Sequence, residues 1–327
     1  MTIKIINAVL AIVGGVGGAL LLYYVLNKLV EWLPGPWEDR IKPYIYLLPA
    51  VGAISLFLLY PAVQTVALSF ANRDSTAWVG FDNYTALLSS PEFRTTLLNT
   101  LLWIAVVPAV TVAFGLGIAV LADRLNPRSE KLTKTLIFMP MAISMVGAGT
   151  IWRFIYEARP EGTPQIGLQN AIVTALGFDP IVWLQVSTGK LNSFMLMVIL
   201  IWAQVGFSMV LLSAAVKGVP TETLEAARID GANERQVFGR VVVPQIWPTV
   251  VTVFITVTIG VMKVFDIVYV MTNGNFNTNV IGVEFFNQLF TNGNAGYAAA
   301  IVVMLMLAVV PIMVYQVRQF RAQEAAR

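Results

Sequence analysis

Long stretches without a charged residue alternate along the chain with short segments that carry nearly all of its charges. About 20 consecutive apolar residues are enough for an α-helix to cross a bilayer. Each stretch therefore predicts one spanning helix, and the chain is predicted to be an all-α integral membrane protein. The charge-free stretches are residues 5–27, 43–72, 95–122, 135–152, 191–216, 241–262 and 285–317. The predicted helices lie near residues 6–30, 44–70, 96–122, 135–156, 193–217, 247–272 and 297–317.

The composition agrees with a membrane protein and excludes several kinds of chemistry. Of the 327 residues, 57% are hydrophobic and 12% are charged, whereas about 25% of a soluble domain is charged. Cysteine and histidine are both absent. Disulfides, thiol chemistry and cysteine-ligated clusters are therefore excluded, and so are the usual general base and the imidazole metal ligand.

The distribution of Lys and Arg predicts how the helices are oriented. Basic residues concentrate in segments 28–42, 123–134, 217–240 and 318–327, whereas the segments between them carry fewer. Because basic loops remain in the cytoplasm, the N-terminus is predicted outside and the C-terminus inside. The first apolar stretch is longer than the roughly 7–15 apolar residues of a signal peptide, so we expect it to be a retained helix.

One segment between two predicted helices, residues 218–246, carries closely spaced helix signals. Pro220 suits the first turn of a helix, because the N–H that it lacks would have no partner there. Glu222 and Glu225 place carboxylates near the positive end of that helix. Gly231 is placed to end the helix in a left-handed conformation. A second short helix is predicted from 233 toward 243, before Pro244 stops it.

This segment is longer than a simple connection, and its small side chains favour contact with another surface. Roughly thirty residues lie where a few would join two helices, and Ala226, Ala227 and Ala232 allow close approach to the backbone. The segment therefore predicts a stiff helix–turn–helix that docks into a groove of a partner. The letters E-A-A-R recur at residues 324–327. There they are terminal and polar, which is typical of a frayed helix end.

The run P-T-E-T-L-E-A-A-R-I-D-G-A-N-E-R-Q-V-F-G-R-V-V-V-P, residues 220–244, resembles the EAA loop of permease subunits of ATP-binding-cassette (ABC) importers. That pattern reads roughly P-x-E-x-x-E-A-A-x-x-D-G-A, then an aromatic residue and I-x-L-P. Val241 and Val243 stand where the family has Ile and Leu. Segments 80–103 and 137–153 are similar to the carbohydrate branch of this family. The matching positions are Pro220, Glu222, Glu225, Ala226, Ala227, Asp230, Gly231, Ala232, Phe238 and Pro244.

The resemblance implies a six-helix type I importer core over residues 43–317, with its ATPase-coupling loop at 218–246. Residues 1–42 are then an additional N-terminal transmembrane helix with a cytoplasmic linker, and residues 318–327 are a cytoplasmic tail. A bacterial inner membrane is the implied location. The implied substrate is a di- or oligosaccharide or a glucoside, as in maltose, trehalose and α-glucoside importers. A polyol or a glycerophosphodiester-type solute is the alternative within the family.

The resemblance also implies partners: a second related permease, two cytoplasmic ATPase subunits and an extracytoplasmic solute-binding protein. The chain has no G-x-x-x-x-G-K-[ST] phosphate loop. We therefore expect no catalytic residue, no metal site and no cofactor of its own, because ATP and Mg²⁺ would bind to the partner ATPase subunits. Closure of the ATPase pair would move the coupling loop as a rigid body. No nucleic acid is expected as a partner.

The substrate pathway has several candidate residues, each with a structural alternative. Lys263 and Asp266 are predicted three residues apart on one face of the sixth helix, and they either serve the pathway or snorkel to the outer interface. Gln204, Trp202 and Phe207 offer an amide and aromatic rings, which sugars need, or they are packing residues. By resemblance, positions near Ser144 also face the pathway.

Two other classes of function are compatible with a membrane protein. An ion-coupled secondary transporter usually carries buried carboxylates or histidines, whereas this chain has no His. An intramembrane enzyme would need a zinc motif, a Ser/His arrangement or paired carboxylates, and none is visible. The long loops 157–190 and 273–296 either contact the binding protein or act as flexible connections.

Overall fold

The computed structural model describes residues 2–32 and 35–325. In that part of the chain all regular structure is helical, and the sole β pairing is an isolated bridge between Ala71 and Trp78. Six helices are long and apolar enough to cross a membrane, and a bent helix pair adds a seventh candidate span. The chain divides into two compact units, residues 1–67 and 68–327. The prediction of an all-α membrane protein is confirmed.

The first unit contains the first two predicted spans. Helix α1 is followed by α2, which continues through a π-helical turn, Ser55–Leu59, into α3. The Tyr46 hydroxyl donates to Asn27 Oδ1 at 2.7 Å, which ties α2 to the C-terminal part of α1. The bounds are α1 Thr2–Glu31, α2 Gly35–Ile54 and α3 Tyr60–Leu68.

The second unit is built around two long spans, α5 and α9, which pack side by side. Trp103 and Val107 from α5 and Leu196 and Met209 from α9 are fully buried in one apolar core. A helix rises about 1.5 Å per residue, so each of these helices exceeds the roughly 30 Å thickness of a bilayer core. The bounds are α4 Asp82–Ser89, α5 Pro91–Asp123, α6 Pro127–Phe138, α7 Met145–Ile155, α8 Leu168–Ala175, α9 Leu191–Lys217, α10 Thr221–Ile229, α11 Glu234–Val237, α12 Val243–Met262, α13 Asp266–Met271, α14 Ile281–Phe286 and α15 Ala295–Ala325.

The contact between α5 and α9 depends on one glycine. A Cβ on Gly115 would lie 2.7 Å from Ser208 Cβ and 3.0 Å from the Met209 backbone nitrogen. At Gly117, two residues along the same helix, a Cβ would have no neighbour within 4 Å. Close packing of membrane helices commonly relies on such small residues.

We therefore expect Gly115→Ala to destabilise the protein by about 1–3 kcal/mol, the usual cost of overpacking a well-packed interior. Gly117→Ala is the matched control and should keep stability or raise it slightly, because alanine favours a helix over glycine. Thermal unfolding of the purified protein in detergent measures both variants. Equal melting temperatures for the two would contradict the packing role of Gly115.

The single helix predicted over residues 135–156 is wrong. The chain instead forms α6 and α7, which meet at 103° across a short break. Pro140 lies in a 3₁₀ turn, Met139–Ala142, and Ser144 then caps α7 by accepting a hydrogen bond from the Gly147 N–H. Proline removes a helical hydrogen bond and the serine cap starts a new helix. Together they bend an apolar stretch that hydropathy alone presents as continuous.

The helix predicted over residues 247–272 is also interrupted. Helix α12 ends at Met262, and α13 starts only at Asp266. The N–H groups of Lys263 and Val264 bond to carbonyls three residues back, which closes the last turn. Gly282 approaches this break so closely that a Cβ there would lie 2.6 Å from the Val264 carbonyl oxygen.

The first part of the loop after α13 is hydrogen-bonded to α5. Asn99 of α5 donates to the backbone carbonyls of Asn277 and Asn279, each at 2.8 Å, and Asn99 is itself 1% exposed. Lys190 Nζ donates to Asn99 Oδ1 at 2.8 Å. This polar network fixes the loop against the start of α9 and the N-terminal part of α5.

Candidate functional site

The segment over residues 218–246, here called the elbow, starts where α9 stops. The N–H of Gly218 bonds back to the carbonyls of Ala214 and Ala215, which closes the last turn of α9. Pro220 then takes the N-cap position of α10 with extended backbone. The helix therefore starts one residue later than predicted, since Pro220 precedes the first turn and does not lie in it. Glu222 lies in the first turn of α10, as predicted.

The turn after α10 has the geometry predicted for Gly231. Its φ is +86°, in the left-handed region, and Asp230 is the last residue before it. The N–H of Gly231 bonds to the Arg228 carbonyl, and the N–H of Ala232 bonds to the Ala227 carbonyl, both at 3.0 Å. This pair of bonds is a Schellman motif, which satisfies carbonyls at the end of a helix and turns the chain sharply.

The second arm of the elbow begins with a complete capping box. Asn233 Oδ1 accepts from the Gln236 N–H at 3.0 Å, and Gln236 Oε1 accepts from the Asn233 N–H at 2.9 Å. This reciprocal arrangement satisfies two N–H groups that a helix start would otherwise leave free. The direction of α11 is therefore determined at its first residue.

An ion pair joins the two arms across the turn. The Arg228 guanidinium contacts both carboxylate oxygens of Glu234, at 2.8 Å from Nε and 3.3 Å from Nη2. The hydrogen bond from Glu234 and then its charge raise the pKa of Arg228 above its ordinary value, and Glu225 raises it further. Both side chains are about half exposed, so the pair orients the arms and contributes little to stability.

The predicted stop at Pro244 is wrong. Helix α11 runs through a π-helical turn, Phe238–Val242, directly into α12, and Pro244 lies in the first turn of α12. In the wider turn the Val243 N–H bonds to the Phe238 carbonyl five residues back. Such a turn displaces the backbone, so a residue without an N–H is accommodated. The second arm of the elbow is therefore continuous with a membrane span.

The two faces of α10 differ in chemistry. Leu224 and Ala227 pack against the core of the second unit, together with Ala232 and Phe238 from the turn and the second arm. The opposite face is exposed and carries Glu222, Glu225, Ala226 and Ile229.

Ile229 is not among the predicted coupling residues, yet 86% of it is exposed. The sequence alone could have placed Ile229 on the exposed face of α10. An apolar residue five positions from Leu224 lies roughly 140° around the helix at 3.6 residues per turn, on the face away from the core. The exposed face of α10 is therefore mixed, with acidic residues around one large apolar side chain.

Three of the predicted pathway residues come together in one place. Gln204, Lys263 and Asp266 line a single cavity of about 140 Å³ beside the break between α12 and α13. Gln204 makes no hydrogen bond to any other described residue. Within the same part of the chain, no ion pair joins Lys263 to Asp266. The cavity thus offers an amide, an ammonium and a carboxylate group.

The shared helix face predicted for Lys263 and Asp266 is wrong, because the helix ends between them. Lys263 follows the last residue of α12, whereas Asp266 is the first residue of α13. Their proximity comes from the break itself. Lys263 also lines a neighbouring apolar cavity of about 310 Å³ with Phe265 and Phe286.

The other predicted pathway residues do not line this cavity. The Trp202 ring meets the Trp152 ring edge-on, with centroids 5.7 Å apart. Phe207 is half-buried. Ser144 is the N-cap of α7. Among the described residues, no group of three or more acidic side chains is arranged to hold a metal ion.

Comparison with known proteins points to one family. The profile of the "Binding-protein-dependent transport system inner membrane component" family matches residues 85–322. The chain is 46% identical to the α-glucoside transport system permease AglF of Rhizobium meliloti (strain 1021), with 96% of this chain and 97% of that protein covered. It is also 46% identical to the osmoprotective compounds uptake permease GgtC of Synechocystis sp. (strain ATCC 27184 / PCC 6803 / Kazusa), with 86% and 100% covered.

A solved structure shares the fold. A chain of a bacterial ABC transporter for import of the acidic polysaccharide alginate superposes with a TM-score of 0.74 at 21% identity. The match covers 88% of this chain and 99% of that one.

Proposed function

The chain belongs to the family of binding-protein-dependent transport system inner membrane components, and on that premise we propose how it works as the permease subunit of an ABC sugar importer. It forms half of a translocation pathway, and separate ATPase subunits drive it through the elbow. The observation that carries this proposal is the elbow itself. Its Schellman turn, capping box and cross-turn ion pair make a stiff projection that is continuous with α12.

The coupling role is assigned to the residues of α10 and its turn. The exposed acidic and small side chains are suited to enter a groove of a partner, with Ile229 as an apolar anchor. Displacement of the elbow moves α12 because no loop separates them. The coupling residues are Pro220, Glu222, Glu225, Ala226, Asp230 and Gly231, together with Ala227 and Ala232, which seat the elbow on the core of the second unit. ATP and Mg²⁺ bind to the ATPase subunits, and the chain has no cofactor of its own.

The elbow faces the cytoplasm in this proposal. Lys217, Arg228, Arg235 and Arg240 in and beside it agree with the cytoplasmic excess of basic residues. The N-terminus is then outside and the C-terminus inside the inner membrane. A second related permease completes the pathway, and a solute-binding protein delivers the substrate at the opposite face, where loops 157–190 and 273–296 lie. Residues 1–42 are an addition to the core over 43–317.

The substrate is proposed to be an α-glucosidic di- or oligosaccharide. The relative AglF is named for α-glucosides and is matched over nearly its whole length. The cavity lined by Gln204, Lys263 and Asp266 supplies the amide and charged groups that bind sugar hydroxyls. A second candidate is a polyol or related osmoprotective solute, because GgtC is equally similar at 46% identity.

The test is a reconstituted complex of both permeases, the ATPase subunits and the binding protein in lipid vesicles. Maltose, trehalose and a polyol are offered in turn, and ATP hydrolysis and solute uptake are measured together. An α-glucoside that stimulates both supports the proposal. Uptake driven by an ion gradient without ATP would reject it, and stimulation by the polyol alone would favour the second candidate.

We expect Gln204→Leu to raise the KM for solute uptake about tenfold, since one hydrogen bond to the substrate is lost and its partner is left unsatisfied. Gln64→Leu is the matched control, because Gln64 is an amide in another spanning helix and does not line the cavity. Uptake over a range of solute concentrations in vesicles measures both. An unchanged KM in Gln204→Leu would remove this residue from the pathway.

A further inference from the structure

One carboxylate is shared by two lysines where α5, α6 and α9 meet. Glu130 Oε1 accepts a hydrogen bond from Lys134 Nζ and forms an ion pair with Lys217 Nζ at 2.6 Å. Lys134 also donates to Ser213 Oγ, and Lys217 Nζ lies 3.6 Å from Asp123 Oδ1. These five side chains are called the lysine–carboxylate cluster.

The cluster joins three helices immediately before the elbow. Asp123 is the last residue of α5, Glu130 lies in the first turn of α6, and Lys217 is the last residue of α9. The elbow starts at the next position. A second contact holds α6 against α9, because a Cβ on Gly206 would lie 2.5 Å from the Ile137 carbonyl oxygen. Helix α6 is therefore fastened to α9 at two separate levels.

Glu130 is the central member of the cluster. Its side chain is 14% exposed, whereas those of Lys217 and Asp123 are 47% and 41% exposed. An exposed pair such as Lys217 and Asp123 contributes little, but Lys134 is only 21% exposed, and removal of Glu130 leaves its ammonium group without its carboxylate partner. The cluster holds two carboxylates and two ammonium groups, so loss of Glu130 leaves an excess positive charge between α6 and α9.

The cluster is also next to the charged pair of the elbow. Asp123 lines a cavity of about 190 Å³ together with Arg228 and Glu234. One member of the cluster, Asp123, thus borders the same space as the ion pair that orients the elbow.

We propose that Glu130 is a positioning residue for energy coupling, whose carboxylate fastens α6 to the end of α9 so that α6 follows the elbow. This inference rests on the proposed function, because it requires that force enters through the elbow. Without the carboxylate, the elbow and α9 still move, but α6 no longer moves with them. ATP hydrolysis then continues, but less solute crosses per ATP.

The experiment measures solute taken up per ATP hydrolysed by the full complex in vesicles. We expect Glu130→Gln, which keeps the shape and removes the charge, to lower this ratio about five- to tenfold, within the usual range of coupling free energies. Lys217→Gln changes a more exposed member of the cluster, and it should also lower the amount of solute taken up per ATP hydrolysed. Lys131→Gln is the matched control on α6, because Lys131 is exposed and makes no ion pair with another described residue.

A conservative variant separates positioning from simple folding. Glu130→Asp keeps the carboxylate on a shorter side chain, so it should retain more of the uptake-to-hydrolysis ratio than Glu130→Gln does. A normal ratio in Glu130→Gln overturns the inference and leaves the proposed function intact. A parallel fall of uptake and ATP hydrolysis that follows the amount of assembled complex would also overturn the inference and leave the proposed function intact. If the wild-type complex shows no ATP-driven uptake, the proposed function fails first.

Discussion

Gly231→Ala is expected to reduce solute transport about tenfold, although the new methyl group has open space around it. The cause is the backbone, because φ is +86° at this position and an L-residue in the left-handed region costs about 1–2 kcal/mol. A chain that avoids this cost must open the Schellman turn, and α10 then loses its orientation relative to α11. Gly231→Asp should also reduce transport, because aspartate tolerates the left-handed conformation better than alanine but adds a charge beside the exposed Asp230.

The control for this experiment lies eight residues further along the elbow. Gly239 also has open space for a Cβ within 4 Å, but its φ is not positive. Gly239→Ala should therefore transport solute like the wild type. Gly231→Asn should retain more activity than Gly231→Ala, because asparagine tolerates the left-handed conformation.

Uptake and solute-stimulated ATP hydrolysis in vesicles measure these variants, after normalisation to the amount of permease. Wild-type values for both activities in Gly231→Asp would reject the elbow as the coupling element. Equal losses in Gly231→Ala and Gly239→Ala would mean that the size of the side chain matters and the conformation does not.

Gly206→Ala is expected to weaken the packing of α6 on α9 by about 1–3 kcal/mol or more, as overpacking does. The added Cβ would lie 2.5 Å from the Ile137 carbonyl oxygen and 2.6 Å from Phe138 Cα. Both are backbone atoms, so neither can rotate away as a flexible side chain would. The helix α6 must move as a whole, and the bend before α7 moves with it.

Thermal unfolding of the purified permease measures this effect, and the apparent Tm should fall by several degrees. Gly260→Ala is the matched control, because Gly260 also lies in a spanning helix but a methyl group there would meet no atom within 4 Å. Gly206→Val should fail to accumulate in the membrane. A stable Gly206→Val variant would contradict the close approach of the two helices.

The candidate site divides into a part that was predictable and a part that was not. The turn at Gly231, the helix start after Pro220 and the acidic first turn of α10 depend on residues that are neighbours in the chain, so local rules sufficed. Ile229 lies outside the pattern of small and acidic residues that predicted the site, although its position relative to Leu224 placed it on the exposed face.

The cavity beside α12 shows the limit of local rules. Their separation in the sequence predicts that Lys263 and Asp266 share one face of a helix. The helix ends between them, so this prediction is wrong. They nevertheless line one cavity with Gln204, which is about sixty positions earlier in the chain. That grouping depends on how α9 packs against the broken span, and spacing along the sequence contains no information about it.

The sequence by itself determined the approximate position of six spans and of the apolar stretch that forms the bent pair α6–α7, because apolar length and charge placement decide which segments enter a bilayer. It also determined the stiff turn of the elbow, because glycine conformation and helix caps act over a few residues. Only the tertiary structure decided the break after Met262 and the carboxylate that joins three helices, because Gly282 meets the Val264 carbonyl and Glu130 meets Lys217 across long separations in the chain. The bend between α6 and α7 has local causes, Pro140 and the Ser144 cap, but apolar length alone does not register them.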